Sequence, residues 1–281
     1  MTAPDHTAWI GRTEERVERI APGPLDRLSA TLDRDDPPFA DGAEVPPLGH
    51  WLSFLPNERQ SGLGPDGHPK RGGFLPPVDH LPRRMWAGSR ISFPGRLEVG
   101  MEAVKRSTIA SVAQKDGGSG PLVFVTVRHE IGERGGPALV VDEHDIVYRG
   151  LSGPAAKPAP QAPQGIWHRS LVPDDVLLFR YSALTFNGHR IHYDRAYVTG
   201  EEGYPGLVVH GPLIATLLID LLRREMPGAR VAAFSFRAVS PVFDGRPLHL
   251  HGNPPDGGGR VELWAANRDG GLAIAAQALV A

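Results

Sequence analysis

The chain contains no cysteine, which excludes disulfides, thiolate catalysis and every zinc or iron–sulfur site that needs a thiolate ligand. It has no apolar run near the roughly 20 residues that cross a bilayer. The longest, Leu213 to Leu222, is too short and contains Asp220. The opening residues Met1-Thr2-Ala3-Pro4-Asp5-His6 show no basic stretch leading into an apolar core, so no secretory signal is expected. Charge of one sign is lacking too: Lys+Arg 30 against Asp+Glu 32 leaves −2, which argues against a general binder of nucleic acid or anionic membrane. Together these absences lead us to expect a soluble, cytoplasmic protein.

What remains is a chain of 281 residues, 41% hydrophobic, with Gly 34 and Pro 28. The length suits two modest domains or one large one, and the apolar content is enough for a packed core. The clearest shift in composition is Gly150 to Gly165, where prolines alternate with Ala, Gln and Gly and charge nearly vanishes. Such a stretch favours an extended connector. It divides the chain into residues 1–150, a linker 151–165 and residues 166–281.

In the first half, Leu25, Leu28 and Leu32 are spaced for a helix over Pro24 to Leu32. Pro37 to Pro82 is rich in Pro and Gly and resists assignment. Strands are expected over Leu97 to Gln114, Pro121 to Ile131 and Ala138 to Tyr148. In the second half, Asp175 to Leu184 reads as a strand. Gly211 to Glu225 reads as a helix, with Pro212 in its first turn and Arg223 and Arg224 in its last. Apolar residues cover most of its circumference, so it should be buried. Strands over Ala229 to Val239, Pro247 to His251, Arg260 to Asn267 and Leu272 to Val280 complete the half. A helix followed by a meander gives an α+β design, an antiparallel sheet around a central helix. A similar ending of the first half makes duplication plausible.

Polar groups concentrate between Phe179 and Gly211: Asn187, His189, His192, Asp194 and His210. Histidine moves protons near neutral pH, and backbone N–H groups where the helix opens at His210-Gly211 can hold a developing oxyanion. These side chains can equally be strand-end and cap residues with satisfied hydrogen bonds. His189-x-x-His192-x-Asp194 also offers metal ligands, but a third partner and second shell are not evident, and Asp194 suits the cap of a short helix leading into Tyr197. No metal is expected. Dinucleotide, P-loop and G-x-S-x-G motifs are absent.

Asn187-Gly188-His189-Arg190-Ile191-His192 followed by Val209-His210-Gly211 resembles the signature of type-2 enoyl-CoA hydratases, the MaoC-like superfamily, which runs Asp-x-Asn-Pro-aliphatic-His before a His-Gly that opens the central helix. Ser182 to Asn187, Tyr204 to Leu213, Gly72 to Pro77, Arg83 to Gly88 and Gly120 to Val125 resemble its divergent branch: hydroxyacyl-thioester dehydratase type 2 and the mesaconyl-CoA or itaconyl-CoA hydratases. The resemblance implies a double hot-dog fold with one working site, lined mainly by the second half. It implies addition or loss of water across an α,β-unsaturated acyl thioester, without a cofactor beyond the coenzyme A of the substrate. His192 then takes acid–base duty, Asn187 and His189 assist it, and Gly211 with His210 forms the oxyanion site. The sequence departs from the signature where Asn187 replaces Asp, His189 replaces Asn and Arg190 replaces Pro. Tyr181, Arg180 and Arg190 are expected near the substrate, an arginine facing the free carboxylate of a dicarboxylic acyl-CoA. Lys70-Arg71 and Arg83-Arg84 either grip coenzyme A phosphates or sit in a solvated loop. A (3R)-hydroxyacyl-thioester dehydratase and an idle acyl-thioester binding protein remain open alternatives. A homodimer is a further expectation.

Overall fold

In the computed structural model, residues 6–117, 120–150 and 158–281 are described. The first half runs β1 (Thr13–Arg19), α1 (Pro22–Thr31), β2 (Arg83–Ser92), β3 (Glu102–Gly117), β4 (Gly120–Gly132) and β5 (Ala138–Arg149). The second runs β6 (Trp167–Leu171), α2 (Asp175–Leu184), α3 (Arg195–Gly200), α4 (Gly211–Glu225), β7 (Val231–Ala238), β8 (Leu248–Gly252), β9 (Arg260–Ala266) and β10 (Leu272–Val280).

All ten strands join one antiparallel sheet in the order β1-β3-β4-β5-β2-β7-β10-β9-β8-β6. Counted within its own half, each set of five strands has the order first-third-fourth-fifth-second. The two sets meet through their second strands, with Gly88 to Ser92 of β2 paired to Arg237 to Ala233 of β7. Two like units side by side in one sheet, the second wrapped on a central helix, make the double hot-dog. Of the expected linker, residues 151–157 lie outside those described. Gln161 beyond them bridges to Gly271, beside β10.

The central helix falls where the apolar spacing placed it. Leu213, Ile214, Leu217, Leu218, Ile219, Leu221 and Leu222 of α4 are all buried, at roughly 2 kcal/mol of transfer free energy each. They pack on β6, β8, β9 and β10. Asp220 interrupts this run and is buried, with Arg34, Arg169 and Arg224 around its carboxylate. Paired cations are what make a charge tolerable at that depth.

The strand expected over Asp175–Leu184 is instead the helix α2. Asp174 caps it, accepting from Leu177 N at 2.8 Å, and its buried residues Leu178, Tyr181, Ser182 and Leu184 follow helical spacing. A short apolar run satisfies either period, and here the cap decides. Among its described residues the first half has no counterpart of α4. Its α1 packs beside α2, and a separate core of Val78, Leu81, Ile109, Val123, Val125 and Tyr148 closes under the irregular chain before β2.

Candidate active site

The α2–α4 connection is folded by local chemistry. Phe186 turns at φ 48°, Asn187 N donates to Ser182 O at 2.8 Å, and the Asn187 amide oxygen accepts from His189 N at 3.0 Å. Asn187 is therefore a brace of the loop in which His189 and His192 sit. Asp194 caps α3 by accepting from Tyr197 N at 3.0 Å, as the sequence suggested. It also pairs with Arg190 at 2.8 Å. That engagement keeps Asp194 from completing a ligand set with His189 and His192.

His192 is buried, and its Nδ1 lies 2.7 Å from Val208 O. A carbonyl only accepts, so Nδ1 carries the hydrogen and a neutral ring presents a lone pair at Nε2. Burial pushes its pKa down to about 4. The ring stacks on His210, 3.7 Å between centroids. His210 precedes α4, holds Ser182 Oγ at 2.8 Å through Nε2, and leaves Nδ1 buried without a partner. Burial, with His192 and His189 nearby, keeps His210 well below the ordinary imidazole range. Gly211 opens the helix, and nothing stands within 4 Å of where its Cβ would be. As the first residue of α4, Gly211 has an amide that no intrahelical carbonyl takes up, and Pro212 after it has no N–H.

His189 meets His192 edge-on at 5.4 Å and His68 at 4.0 Å. His68 belongs to the first half. Its Nδ1 is 2.9 Å from Asp66 Oδ2, and Asp66 Oδ1 accepts from His68 N at 3.0 Å. Burial raises the Asp66 carboxyl, but the hydrogen bonds and charge of His68 outweigh it and hold it below the usual range. Burial and then Arg84 push His68 down to about 4; burial, His68 and His192 push His189 down to about 2. One ring nitrogen or carboxylate oxygen from each of Asp66, His68 and His189 lies within 4.8 Å of the other two. With Arg84 already acting on both histidines, the cluster suits proton movement better than a further cation.

The loop bearing Asp66 is clamped to the histidine loop. Arg190 N donates to Asp66 O at 2.9 Å and Arg190 Nη1 to Pro65 O at 2.9 Å, across 125 residues of chain. At Gly67, with φ +87°, a Cβ would sit 1.8 Å from Gly188 O, so backbone crosses backbone and only glycine fits. The cleft beside this crossing is lined by Asp66, Arg83, Arg84, His189, Glu202 and Tyr204.

Of the other expected residues, Arg180 is exposed on α2. Arg190 is held by Asp194 and Pro65, with its guanidinium 4.1 Å over Tyr197. Tyr181 is buried, its hydroxyl 3.4 Å from Thr216 and its ring against His210, which makes it a support of the site. Arg71 donates to Val78 O, Leu81 O and Pro82 O, and Lys70 to Ser61 O. Arg83 and Arg84 lie on a strand. Asp66 and His68 were not anticipated as site residues: they lie in the Pro/Gly-rich segment, where no periodicity marks them. Arg84, read from the sequence as a grip on coenzyme A phosphates or a residue of a solvated loop, lies on β2 and lines the cleft.

Comparisons with known proteins agree with this geometry. Residues 48–244 match the model of the family described as hydroxyacyl-thioester dehydratase type 2. The chain is 46% identical over 280 residues to mesaconyl-C(4)-CoA hydratase of Chloroflexus aurantiacus, covering 98% of each. It is 27% identical over 265 residues to the mitochondrial hydroxyacyl-thioester dehydratase type 2 of Schizosaccharomyces pombe, covering 82% of this chain and 87% of the relative. A MaoC-like dehydratase from Phytophthora capsici superposes with a TM-score of 0.69 at 16% identity, over 96% of each chain. The chain belongs to the hydroxyacyl-thioester dehydratase type 2 family, on the MaoC-like branch that includes the mesaconyl-C(4)-CoA hydratase.

Proposed function

We propose that the protein is a hydro-lyase that adds water across the double bond of mesaconyl-C4-CoA to give citramalyl-CoA. The observation that carries this reading is the His192 ring: neutral, fixed through Nδ1 to Val208 O, and presenting Nε2 as a base beside the free amide of Gly211. The near full-length identity to the Chloroflexus hydratase favours the dicarboxylic substrate.

In this mechanism the thioester oxygen accepts from Gly211 N–H. Nε2 of His192 takes a proton from water as the hydroxyl oxygen bonds to the β-carbon and the electron pair moves onto the thioester. The resulting enolate recovers that proton at the α-carbon, and His192 returns to neutral. Dehydration is the same path reversed. Where the family signature has a carboxylate, Asn187 supplies only an amide. Asp66, reached through His68 and His189, is the carboxylate of this site, and its negative charge favours a proton held on the histidine row. The chemistry asks for a base and an oxyanion donor and for no cofactor. No helix among the described residues is long and apolar enough to cross a membrane, consistent with work on a dissolved thioester in the cytoplasm.

The test is incubation of the purified protein with mesaconyl-C4-, itaconyl- and crotonyl-CoA, followed by mass spectrometry, with His192→Ala alongside. Gain of one water on mesaconyl-C4-CoA, slowed about 100-fold or more in the variant, is expected. Hydration of crotonyl-CoA alone would move the assignment to a fatty-acyl dehydratase like the Schizosaccharomyces relative. Tight thioester binding without turnover would make it a binding protein.

A further inference from the structure

The cations around the cleft differ in what already occupies them. Arg83 pairs with Glu202, Nε to Oε2 at 3.3 Å, and donates from Nη2 to the Glu202 carbonyl at 2.7 Å. Arg71 is spent on three carbonyls, and Arg190 on Asp194 and Pro65 O. Arg84 stands apart. It lies on β2 directly opposite Tyr148 of β5, partly buried, with the Tyr148 hydroxyl as its hydrogen-bonding partner. It forms no ion pair among the described residues. Burial lowers its pKa from the ordinary arginine value, yet a guanidinium remains charged.

A desolvated guanidinium without a counter-ion is costly unless something else supplies one. The charges close by show what is missing. Arg84 feels both Arg71 and Asp66, and the carboxylate oxygens of Asp66 are both taken up by His68, so one positive charge is left over. Arg84 lines the same cleft as His189.

We propose that Arg84 receives the free carboxylate of the substrate and so selects a dicarboxylic acyl thioester over a neutral one; this rests on the hydratase reading above. In mesaconyl-C4-CoA the free carboxylate and a methyl group are both attached to the β-carbon, the atom that water attacks. A receptor for that carboxylate has to sit near the base; Arg84 lines the cleft with His189, whose ring meets that of His192 edge-on at 5.4 Å. The planar guanidinium offers a two-pronged grip on a carboxylate, which orients the β-carbon toward His192. Tyr148, pushed up by burial and packed in the first half's core, holds the guanidinium in place. The first half thereby contributes the specificity of a site whose acid–base groups come mainly from the second.

The experiment compares mesaconyl-C4-CoA with 3-methylcrotonyl-CoA, in which a methyl group replaces the carboxylate, for the wild type, Arg84→Met and Arg84→Lys, with kcat and KM determined separately. The wild type is expected to prefer the dicarboxylic thioester strongly. Arg84→Met should lower kcat/KM for it by about 100-fold or more and leave 3-methylcrotonyl-CoA within about threefold. Arg84→Lys keeps the charge but loses the planar fork, and should lose about tenfold on the dicarboxylic thioester only; it serves if the Met variant does not fold. Equal losses on both thioesters in a variant with wild-type melting temperature, or no loss on mesaconyl-C4-CoA, would overturn the role of Arg84 alone. A wild type that hydrates neither thioester removes the hydratase reading, and this assignment with it.

Discussion

Acid should unfold this protein abruptly, because its histidines are buried in their neutral form. Burial is the leading cause in each case: it holds His68 and His192 at about 4 and His189 at about 2, and sets His129 and His210 well below the ordinary 6.5. In the unfolded chain all five return to about 6.5. A group whose folded pKa is depressed contributes stability that is complete above its unfolded pKa and is withdrawn as pH falls toward the folded value. The window therefore opens at 6.5 and extends to about 4. Within it the unfolded chain takes up to five more protons than the folded one, a slope of about 7 kcal/mol per pH unit. Integrated from neutral pH, the loss is about 6 kcal/mol at pH 5.5 and about 9 kcal/mol at pH 5. That is comparable with an ordinary folding free energy of about 5–15 kcal/mol.

The check is tryptophan fluorescence and far-ultraviolet circular dichroism between pH 7.5 and 4, with hydration activity measured in parallel. Both spectroscopic signals should collapse together near pH 5, over a range far narrower than a one-proton titration, and activity should fall with them. A broad single-proton loss of activity centred near pH 6.5, with unchanged spectra, would mean that the catalytic histidine is exposed and ordinary. The reasoning from burial would then be refuted.

Two substitutions test how the halves are joined. Gly67→Ala places a Cβ where Gly188 O now stands, at a positive φ that costs an L-residue about 1–2 kcal/mol; the loops must separate, and kcat/KM should fall at least tenfold while the melting temperature drops only a few degrees. Asp220→Asn removes the carboxylate shared by Arg34 of the first half and Arg169 and Arg224 of the second. Stranding those cations costs about 3–5 kcal/mol, read as a melting temperature lower by about 10 °C, with residual activity at 20 °C in the fraction that stays folded.

Much of the second half was legible because its signals are local. The bounds of α4 follow from Pro212, the apolar wrap and Pro227-Gly228 beyond, and the meander from apolar runs between Gly-rich turns. The strands that went unread are those whose environment hides the pattern. β1 is an edge strand reading Thr-Glu-Glu-Arg-Val-Glu-Arg with no residue fully buried. β6 closes the opposite edge. β2, at the seam of the two halves, carries a register shift between Trp86 and Gly88. The site divides the same way. Asn187, His189, His192, His210 and Gly211 fall in one stretch, and the structure gathers the three histidines into a row. Asp66, His68 and Arg84 reach that row only through tertiary folding, from chain with no period to read.

The duplicated sheet explains why one site needs both halves. α4 fills the second unit and sets His210 and Gly211 at its N-terminus; among the described residues the first unit has no such helix. In place of one, irregular chain crosses back over the seam and lays Asp66 and His68 on the histidine loop, glycine against glycine. Burial keeps the rings of His68, His189, His192 and His210 neutral in all but acid, so the bases are ready at neutral pH without a carboxylate at position 187. Arg84 is left partly buried and, among the described residues, without an ion pair, a deficit that a dicarboxylic thioester removes on binding. Desolvation thus sets three properties together: the basicity of the site, the substrate charge it prefers and the acidity at which the fold fails. Opening the Asp66 loop by substitution should weaken all three at once.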